Sequence, residues 1–445
     1  MRDSSFDSEV MKVIVHLVGC PLEAINRKVC RLPVREGGLG IPQQAEIAER
    51  AWTASFATFY RNSSDLSFIS LPEHFKDTLH KMAPDIENPN LDLDSISQKS
   101  LTMKMHSQNL DDLQNQLKHD YPRKSIFNAQ RSHQAPWLNQ VFFGRFNKLA
   151  QSSAEFQISL KLRLLLPVQE TKVKHCLCRR HRNGIHVDLA STNHFLHGLT
   201  CPDMSGSIIN RHDRITKLLE SYALKIDDVT TRWNKTTYNM ANPEAHHRAD
   251  LYVKFPNEDE VILDTKILNI AAPTYFKKNA ETNLKNGENL KVQVYKKTLG
   301  AAVVNSDRFV PFVLDITGNI GKRGKDFIDK LSKQAKSYPQ FKAHISRDIS
   351  MLMAREVADS ILNFNFRRRT SSRVVSISAQ PAQGISGTAS TEVTTAAPII
   401  FPPTRGDRLS KESASSTSKK PNTPMIAAKR NRGKGKQGLK KPKST

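Results

Sequence analysis

The sequence predicts an α+β multidomain protein, in which a helical N-terminal part is followed by a mixed α/β domain and a disordered basic tail. Three observations predict this fold class. Apolar residues recur at helical spacing up to about residue 167, and two runs near residue 255 alternate apolar and polar residues as strands do. The chain after residue 366 is rich in Ser, Thr, Ala, Pro and Lys. A length of 445 residues is enough for two or three domains.

The helical part divides into two segments, 1–71 and 72–171. In the first, the turn-rich stretch LPVREGGLGIP precedes QQAEIAERAWTASFATFYR, in which apolar residues recur at helical spacing. In the second, LDDLQNQL and SAEFQISLKLRLLLP continue the helical pattern and strand signals are scarce. Both segments are therefore predicted to be helical.

The charge of the chain is strongly positive. Lys and Arg number 67 against 43 Asp and Glu, a formal charge of +24. Residues 401–445 hold 13 basic and 2 acidic residues, so the tail and the body are both basic. This excess favours nucleic acid or an anionic surface as the partner over acidic small molecules. The segment 367–445 cannot bury enough apolar area to offset its conformational entropy and is predicted to be disordered.

The cysteines and the N-terminus indicate a protein that is neither secreted nor membrane-bound. The cysteines number five, an odd count without regular framework spacing, which fits a reducing compartment better than a disulfide scaffold. The apolar run MKVIVHLVGC is too short to span a bilayer and lacks a small-residue cleavage pattern.

The segment 172–215 contains a candidate zinc site. Its soft or borderline ligands are Cys176, Cys178, His197 and Cys201. The last two lie four residues apart and can face one ion from a helical turn, whereas the first two need a turn to bend them onto one metal. Competing candidates for the fourth ligand are His181, His186 and His194. The alternative is a set of scattered buried thiols, and if zinc binds, four protein ligands indicate a structural role.

Residues 246–268 are predicted to form a β-hairpin that carries two carboxylates and a lysine. ADLYVKF and VILDTKIL both alternate with a period of two, and PNED between them has turn chemistry. Asp264 and Lys266 share one face of the second strand, and Asp250 at the outer end of the first strand can approach Asp264. The hairpin therefore gathers three ionisable side chains.

Two converging carboxylates make a hard-oxygen site for Mg²⁺ or Mn²⁺. A neighbouring lysine can orient or deprotonate the attacking water, or stabilise charge that develops on a phosphate. The alternative is that Asp264 and Lys266 form a solvated ion pair at a sheet edge. The second strand, the second carboxylate and the basic chain around them favour a phosphodiesterase site.

The order of these features resembles the C-terminal part of a non-LTR retrotransposon reverse transcriptase polyprotein that ends in a restriction-enzyme-like, PD-(D/E)XK endonuclease. The stretches that carry the resemblance are LPVREGGLGI with AERAWTASF, APWLNQ with EFQISLKLRLLLP, CLC with HGLTC and RHDRI, RADLYV with ILDTKI, and FVPFVLDITGNIG. The resemblance implies a thumb-like remnant over 1–71, a helical connector over 72–171, a Cys-Cys-His-Cys knuckle over 172–215, a nuclease domain over 216–366 and a tail over 367–445.

Carried over by position, the resemblance implies that Asp250 and Asp264 are the metal-binding acids and Lys266 the catalytic lysine. It also implies that Lys291 and Tyr295 form a basic and aromatic pair that contacts the scissile phosphate, although helix packing explains the tyrosine equally well. The basic run FNFRRRTSSR adds non-specific phosphate contacts. Its candidate DNA-binding residues are Arg367, Arg368 and Arg369. Ala249 replaces the proline of the motif, a position that ligates nothing.

The expected function is therefore metal-dependent nicking of target DNA, with a non-catalytic nucleic-acid-binding remnant as the alternative. A zinc-dependent hydrolase is disfavoured because the His-Glu-x-x-His pattern is absent. No aromatic-x-Asp-Asp polymerase motif is present, so this chain alone is not expected to polymerise DNA. Further candidate partners are the RNA of the element and a separate polymerase portion. The terminal lysine cluster predicts nuclear localisation.

Overall fold

Helices make up most of the structure, and a small mixed sheet lies in its C-terminal half. The computed structural model describes residues 5–63, 72–82, 95–132, 135–139, 149–169, 175–176, 178, 187–189, 196–233, 236–239, 242–256 and 260–378. The chain divides into two compact units, Met1–Pro381 and Ala382–Thr445, and all described residues belong to the first. The α+β class predicted from the sequence is confirmed.

Seven helices form the described N-terminal half, as the apolar spacing predicts. They are α1 (Ser5–Val18), α2 (Ala24–Arg31), α3 (Gln44–Asn62), α4 (Glu73–Met82), α5 (Gln98–Gln116), α6 (Tyr121–Ser132) and α7 (Ser153–Arg163). Serine side chains begin two of them, since Ser97 accepts from Ser100 N at 3.1 Å and Ser152 accepts from Glu155 N at 3.3 Å. These caps satisfy backbone donors that the first helical turn leaves unpaired.

The glycine-rich turn after α2 is held in place by the buried side chain of Arg163 at the end of α7. Its Nη2 donates to Val34 O at 2.7 Å and to Gly38 O at 2.9 Å. Gly38 itself packs against backbone, because a Cβ added there would lie 2.0 Å from Leu32 O and 2.5 Å from Val29 O. The stretch LPVREGGLGI is therefore held by Arg163 on one side and by the backbone at the end of α2 on the other.

The C-terminal half contains the remaining elements. They are β1 (His175–Cys176), β2 (Val187–Asp188), α8 (Ser205–Ala223), β3 (Thr230–Trp233), β4 (Thr236–Asn239), β5 (Asn242–Arg248), β6 (Leu251–Lys254), β7 (Glu260–Leu268), α9 (Ala280–Asn305), β8 (Phe309–Asp315), α10 (Lys322–Gln334) and α11 (Phe341–Ser378). Helix α9 is interrupted at Gly300, whose φ of +78° and ψ of 161° are not helical.

Four of these strands form the central sheet, in the order β3-β6-β7-β8. The predicted hairpin is confirmed: β6 and β7 pair antiparallel with Leu251 opposite Leu263. Strand β8 lies on the other side of β7 and runs parallel to it, with Pro311 opposite Asp264. All residues of β8 are buried, as expected of a parallel strand covered on both faces. Strand β7 therefore has a neighbour on each side.

The largest hydrophobic core runs through both halves of the described chain, from Ile14 in α1 to Ile361 in α11. Helix α7 packs against α11, where Ser159 Oγ donates to Ala354 O at 3.2 Å and Arg355 Nε lies 3.3 Å from a Glu155 carboxylate oxygen. Apolar burial, rather than surface ion pairs, joins these elements.

Two helices continue across boundaries that the sequence predicts between domains. Helix α8 spans the boundary between 172–215 and 216–366, and α11 continues past Arg367 to Ser378, into the segment predicted to be disordered. The rest of 367–445 lies outside the described residues. No helix in the described ranges is long and apolar enough to cross a membrane.

Candidate active site and metal centre

The hairpin brings Asp250 and Asp264 together. Asp250 lies just before β6, where its backbone N donates to Leu263 O at 3.1 Å. Its Oδ2 accepts from Thr265 N at 2.6 Å, which folds the carboxylate over β7. The two carboxyl groups are close enough that each shifts the pKa of the other. The hairpin prediction is met in this respect, because the pairing of Leu251 with Leu263 brings the residue before β6 to Asp264.

Three cationic side chains surround this acid pair. Lys291 on α9 places Nζ 2.5 Å from Asp264 Oδ2. Lys266, two residues along β7 from Asp264, is partly buried beside Lys291. His212 on α8 places Nε2 3.0 Å from Asp250 Oδ2. Elements from three parts of the chain therefore converge on the two acids.

The pKa values of the two acids are pushed in opposite directions. Burial and the nearby Asp250 charge raise the pKa of Asp264 to about 6, although Lys291 acts to lower it. Burial also acts to raise the pKa of Asp250, but the hydrogen bond and charge of His212 and the Thr265 amide hold it below its ordinary value. Opposite shifts in neighbouring acids are typical of functional sites.

The pKa values of Lys266 and His212 are also shifted by their surroundings in the site. Burial and the Lys291 charge lower the pKa of Lys266. Burial acts to lower the pKa of His212 as well, but its bonds to Asp250 and Asp213 outweigh that effect and raise it to about 9. Lys266 is thus easier to deprotonate than an ordinary lysine, whereas His212 keeps its charge at neutral pH.

The other predicted DNA-binding residues lie in different settings. Tyr295 is buried, stacks on Phe309 with ring centroids 4.6 Å apart, and its hydroxyl donates to Arg248 O at 3.2 Å. Tyr295 thus packs as the structural alternative expects, and it also borders the acid site, because burial and then the nearby charges of Asp264 and Asp250 raise its pKa. Arg367 is exposed and its Nη1 donates to Asp203 O at 2.9 Å. The side chains of Arg368 and Arg369 lie outside the described part of the structure.

The second cluster is formed by the four residues predicted as a zinc site, and all four are buried. They are Cys176, Cys178, His197 and Cys201, and their ligand atoms lie within 4.8 Å of one another. Cys176 ends β1, and the cluster packs against Phe364 of α11. The competing residues His181, His186 and His194 lie outside the described residues.

Distances within the cluster fit a tetrahedral metal ion. Zn–S bonds of about 2.3 Å and a Zn–N bond of about 2.0 Å place two sulfur atoms about 3.8 Å apart, and a sulfur and a nitrogen about 3.5 Å apart. The observed separations are 3.7 Å between Cys176 Sγ and Cys201 Sγ, and 3.5 Å between Cys178 Sγ and His197 Nε2. The cluster could therefore hold a metal ion, in agreement with the zinc prediction.

The pKa of the Cys201 thiol also favours metal binding. A hydrogen bond from Cys176 lowers its pKa to about 4, assisted by His197 and opposed by burial. The thiolate is the form that binds metal ions. The five cysteines, all within the described residues, form no disulfide bonds.

Neither protein-family models nor curated proteins yielded a match to this chain. The side chains of the two clusters are therefore the basis for assigning a function. One member of the acid cluster, His212, was missed by sequence analysis, because a histidine in an amphipathic helix 38 residues before Asp250 carries no signal of that contact. The stretch RHDRI, which contains His212, enters the sequence analysis only as one of the stretches that carry the resemblance.

Protein purified without chelator is expected to contain about one zinc per chain, because four ligands complete a closed tetrahedral site. Elemental analysis measures this content. Cys201→Ser removes a ligand and should lower it strongly, whereas Cys20→Ser changes a free cysteine outside the cluster and should leave it unchanged. Zinc-free protein, or equal loss in both variants, would contradict the assignment.

Proposed function

We propose that this chain is a metal-dependent DNA endonuclease with a restriction-enzyme-like, PD-(D/E)XK core, derived from the C-terminal part of a non-LTR retrotransposon polyprotein. The observation that carries the proposal is the acid cluster. Asp250 and Asp264 meet on one hairpin, Lys266 follows on the same strand, and Lys291 lies 2.5 Å from Asp264. This combination of acids and lysines is suited to phosphodiester hydrolysis.

The position of the cluster in the sheet supports the same assignment. Asp264 and Lys266 lie on β7, which is paired on both sides, with β6 antiparallel and β8 parallel. Helices α8 and α9 contribute His212 and Lys291. Side chains on paired strands and packed helices are held in position before substrate arrives, which catalysis requires.

The acid pair fits a divalent cation. Burial beside a second carboxylate raises the pKa of Asp264, and a cation held by Asp250 and Asp264 would offset their mutual repulsion. Oxygen ligands of this kind suit Mg²⁺ or Mn²⁺. When bound, the ion supplies a Lewis acid at the phosphate and lowers the pKa of a coordinated water.

In the proposed reaction, water adds to the phosphorus of a DNA phosphodiester and the bond from phosphorus to the 3′ oxygen breaks. One water proton passes to a base and the 3′ oxygen takes up a proton, which leaves a 5′-phosphate and a 3′-hydroxyl. Lys266, with its lowered pKa, orients or deprotonates the water. Lys291 beside Asp264 is placed to contact the phosphate.

The remaining parts of the proposal concern partners and location. A charge of +24 favours DNA, and in the intact element the new 3′-hydroxyl would prime reverse transcription. The RNA of the element and a separate polymerase portion are proposed as further partners, and the basic tail is proposed to direct the chain to the nucleus. Zinc in the Cys/His cluster would fix the loop that precedes α8.

A second candidate function is nucleic-acid binding without cleavage, as in a decayed remnant. The contact between Lys291 and Asp264 favours it, because an ion pair 2.5 Å long already neutralises the acid without a metal ion. In this alternative the acid cluster stabilises the sheet, and the basic surfaces bind DNA in a salt-dependent manner.

Nicking of supercoiled plasmid by the full chain distinguishes the two functions. We expect nicking that depends on Mg²⁺ or Mn²⁺, and a decrease of about 100-fold in Lys266→Met, which removes the water-orienting amine. Lys217→Met, an exposed lysine on α8, is the matched control and should nick at the rate of the unchanged chain. DNA binding without nicking, the same in all variants, would instead establish the remnant.

A further inference from the structure

The side chain of His212 makes the closest contact between helix α8 and the acid pair. Its ring lies on the inner side of α8, with 29% of the side chain exposed, and the Asp250 side chain opposite is 17% exposed. Nε2 lies 3.0 Å from Asp250 Oδ2 and 3.2 Å from Thr265 O. The ring is therefore fixed between a side chain and the backbone of β7.

The neighbours of Nε2 determine its role in the contact. A carboxylate oxygen and a backbone carbonyl oxygen both accept hydrogen bonds, so Nε2 must carry the hydrogen. His212 thus donates to Asp250 rather than accepting from it. A ring nitrogen that carries a hydrogen has no free lone pair for a metal ion, so His212 is excluded as a metal ligand through Nε2.

The hydrogen bonds of Asp250 are divided unequally between its two oxygens. Oδ2 accepts from Thr265 N at 2.6 Å and from His212 Nε2 at 3.0 Å. A carboxylate oxygen has two lone pairs in the plane of the group, so these two donors fill Oδ2. The other oxygen, Oδ1, is then the one that can bind a cation together with Asp264.

The position of His212 is itself determined by contacts between α8 and β7. One turn further along α8, the hydroxyl of Thr216 donates to Thr265 Oγ1 at 3.0 Å and to His212 O at 3.1 Å. Thr216 and Thr265 are both buried. Rotation of α8 or a shift along β7 would break this bond, so the helix presents His212 to Asp250 in one register.

We propose that His212 is a positioning residue of the acid site, which holds Asp250 by Oδ2 so that Oδ1 binds the divalent cation. The inference rests on the proposed function, because it assumes that the acid pair binds a metal ion. Residues that orient a metal ligand through hydrogen bonds change metal affinity when they are replaced, although they never touch the ion. His212 acts on the ion through Asp250.

The experiment is a Mn²⁺ titration of the full, zinc-containing chain, with free Mn²⁺ followed by electron paramagnetic resonance. His212→Leu removes the donor and keeps the volume, and we expect it to weaken Mn²⁺ binding by about tenfold or more. His212→Gln places an amide N–H near the position of Nε2, and should restore most of the affinity. Lys217→Met on the same helix is the control and should bind as the unchanged chain does.

Each outcome decides the inference. Weak binding in His212→Leu with recovery in His212→Gln supports it, because a role in folding alone would lower thermal stability without changing the affinity of the folded protein. Equal affinity in His212→Leu and the unchanged chain overturns it while the proposed function stands. If the unchanged chain binds no more Mn²⁺ than Asp264→Asn, both the inference and the metal site of the proposed function are overturned.

Discussion

Asp264→Asn is expected to reduce metal-dependent nicking by about 1000-fold or more, because it removes one of two carboxylates that hold the ion. The replacement is nearly isosteric and 4% of Asp264 is exposed, so the fold should be kept. Lys291, its partner at 2.5 Å, is partly exposed and can turn to water. Loss of activity with retained folding identifies a residue of the site rather than of the core.

The same variant should alter the pH dependence of stability in a defined direction. The pKa of Asp264 is raised from 3.8 to about 6 in the folded protein. Between these two pH values the carboxyl group ionises more readily in the unfolded chain, so the free energy of unfolding of the original protein decreases as the pH rises. Asparagine cannot ionise. The free energy of unfolding of Asp264→Asn, relative to the unchanged chain, should therefore increase from pH 4 to pH 6.

Urea denaturation with zinc present and without Mg²⁺ or Mn²⁺ measures this difference. Asp77→Asn is a suitable control, since Asp77 is exposed on α4, outside the acid site. Nicking by Asp264→Asn at the rate of the unchanged chain would refute the proposed active site. A constant difference in stability from pH 4 to pH 6 would refute the environment described for Asp264.

Gly38→Ala is expected to destabilise the protein by more than about 3 kcal/mol. A Cβ at this position would lie 2.0 Å from Leu32 O and 2.5 Å from Val29 O, and both are backbone atoms that cannot move away independently. Displacing the turn would also break the bonds from Arg163 Nε and Nη2 to Gly38 O. The buried guanidinium would then lose acceptors, which adds to the cost.

Gly206→Ala is the matched control, because nothing lies within 4 Å of a Cβ added at that position in α8. It should leave stability unchanged or raise it by up to about 1 kcal/mol, as expected for glycine replaced by alanine in a helix. Thermal and urea unfolding compare the two variants. Equal stability of Gly38→Ala and Gly206→Ala would show that the turn at Gly38 can shift to accommodate a Cβ at little cost in free energy.

The hairpin could be predicted from the sequence because its signals are local. Alternation places Asp264 and Lys266 on one face of β7, and a short turn brings the strand after Asp250 alongside. The buried run that became β8 is also visible in the sequence as FVPFVLD. The four ligands of the Cys/His cluster could be chosen by type, and the structure brings all four together.

Contacts between distant segments could not be predicted in this way. His212 meets Asp250 across 38 residues, and its position depends on how α8 rotates over the sheet. Lys291 was singled out by resemblance alone, and its direct contact with Asp264 follows from the packing of α9 against the sheet. Short strands such as β3 and the β4–β5 pair, rich in Thr, Asn and His, lack the apolar alternation that marks β7.

The packing of α7 against α11 has a consequence for synthesis of the protein. The apolar side chains that α7 buries include Ile158 and Leu162, and part of their cover comes from a helix that begins at Phe341. During translation, α7 leaves the ribosome long before α11 exists, so these side chains stay exposed to solvent and to other nascent chains. Premature termination before residue 341 would leave them permanently uncovered, and such fragments are expected to aggregate or to be degraded.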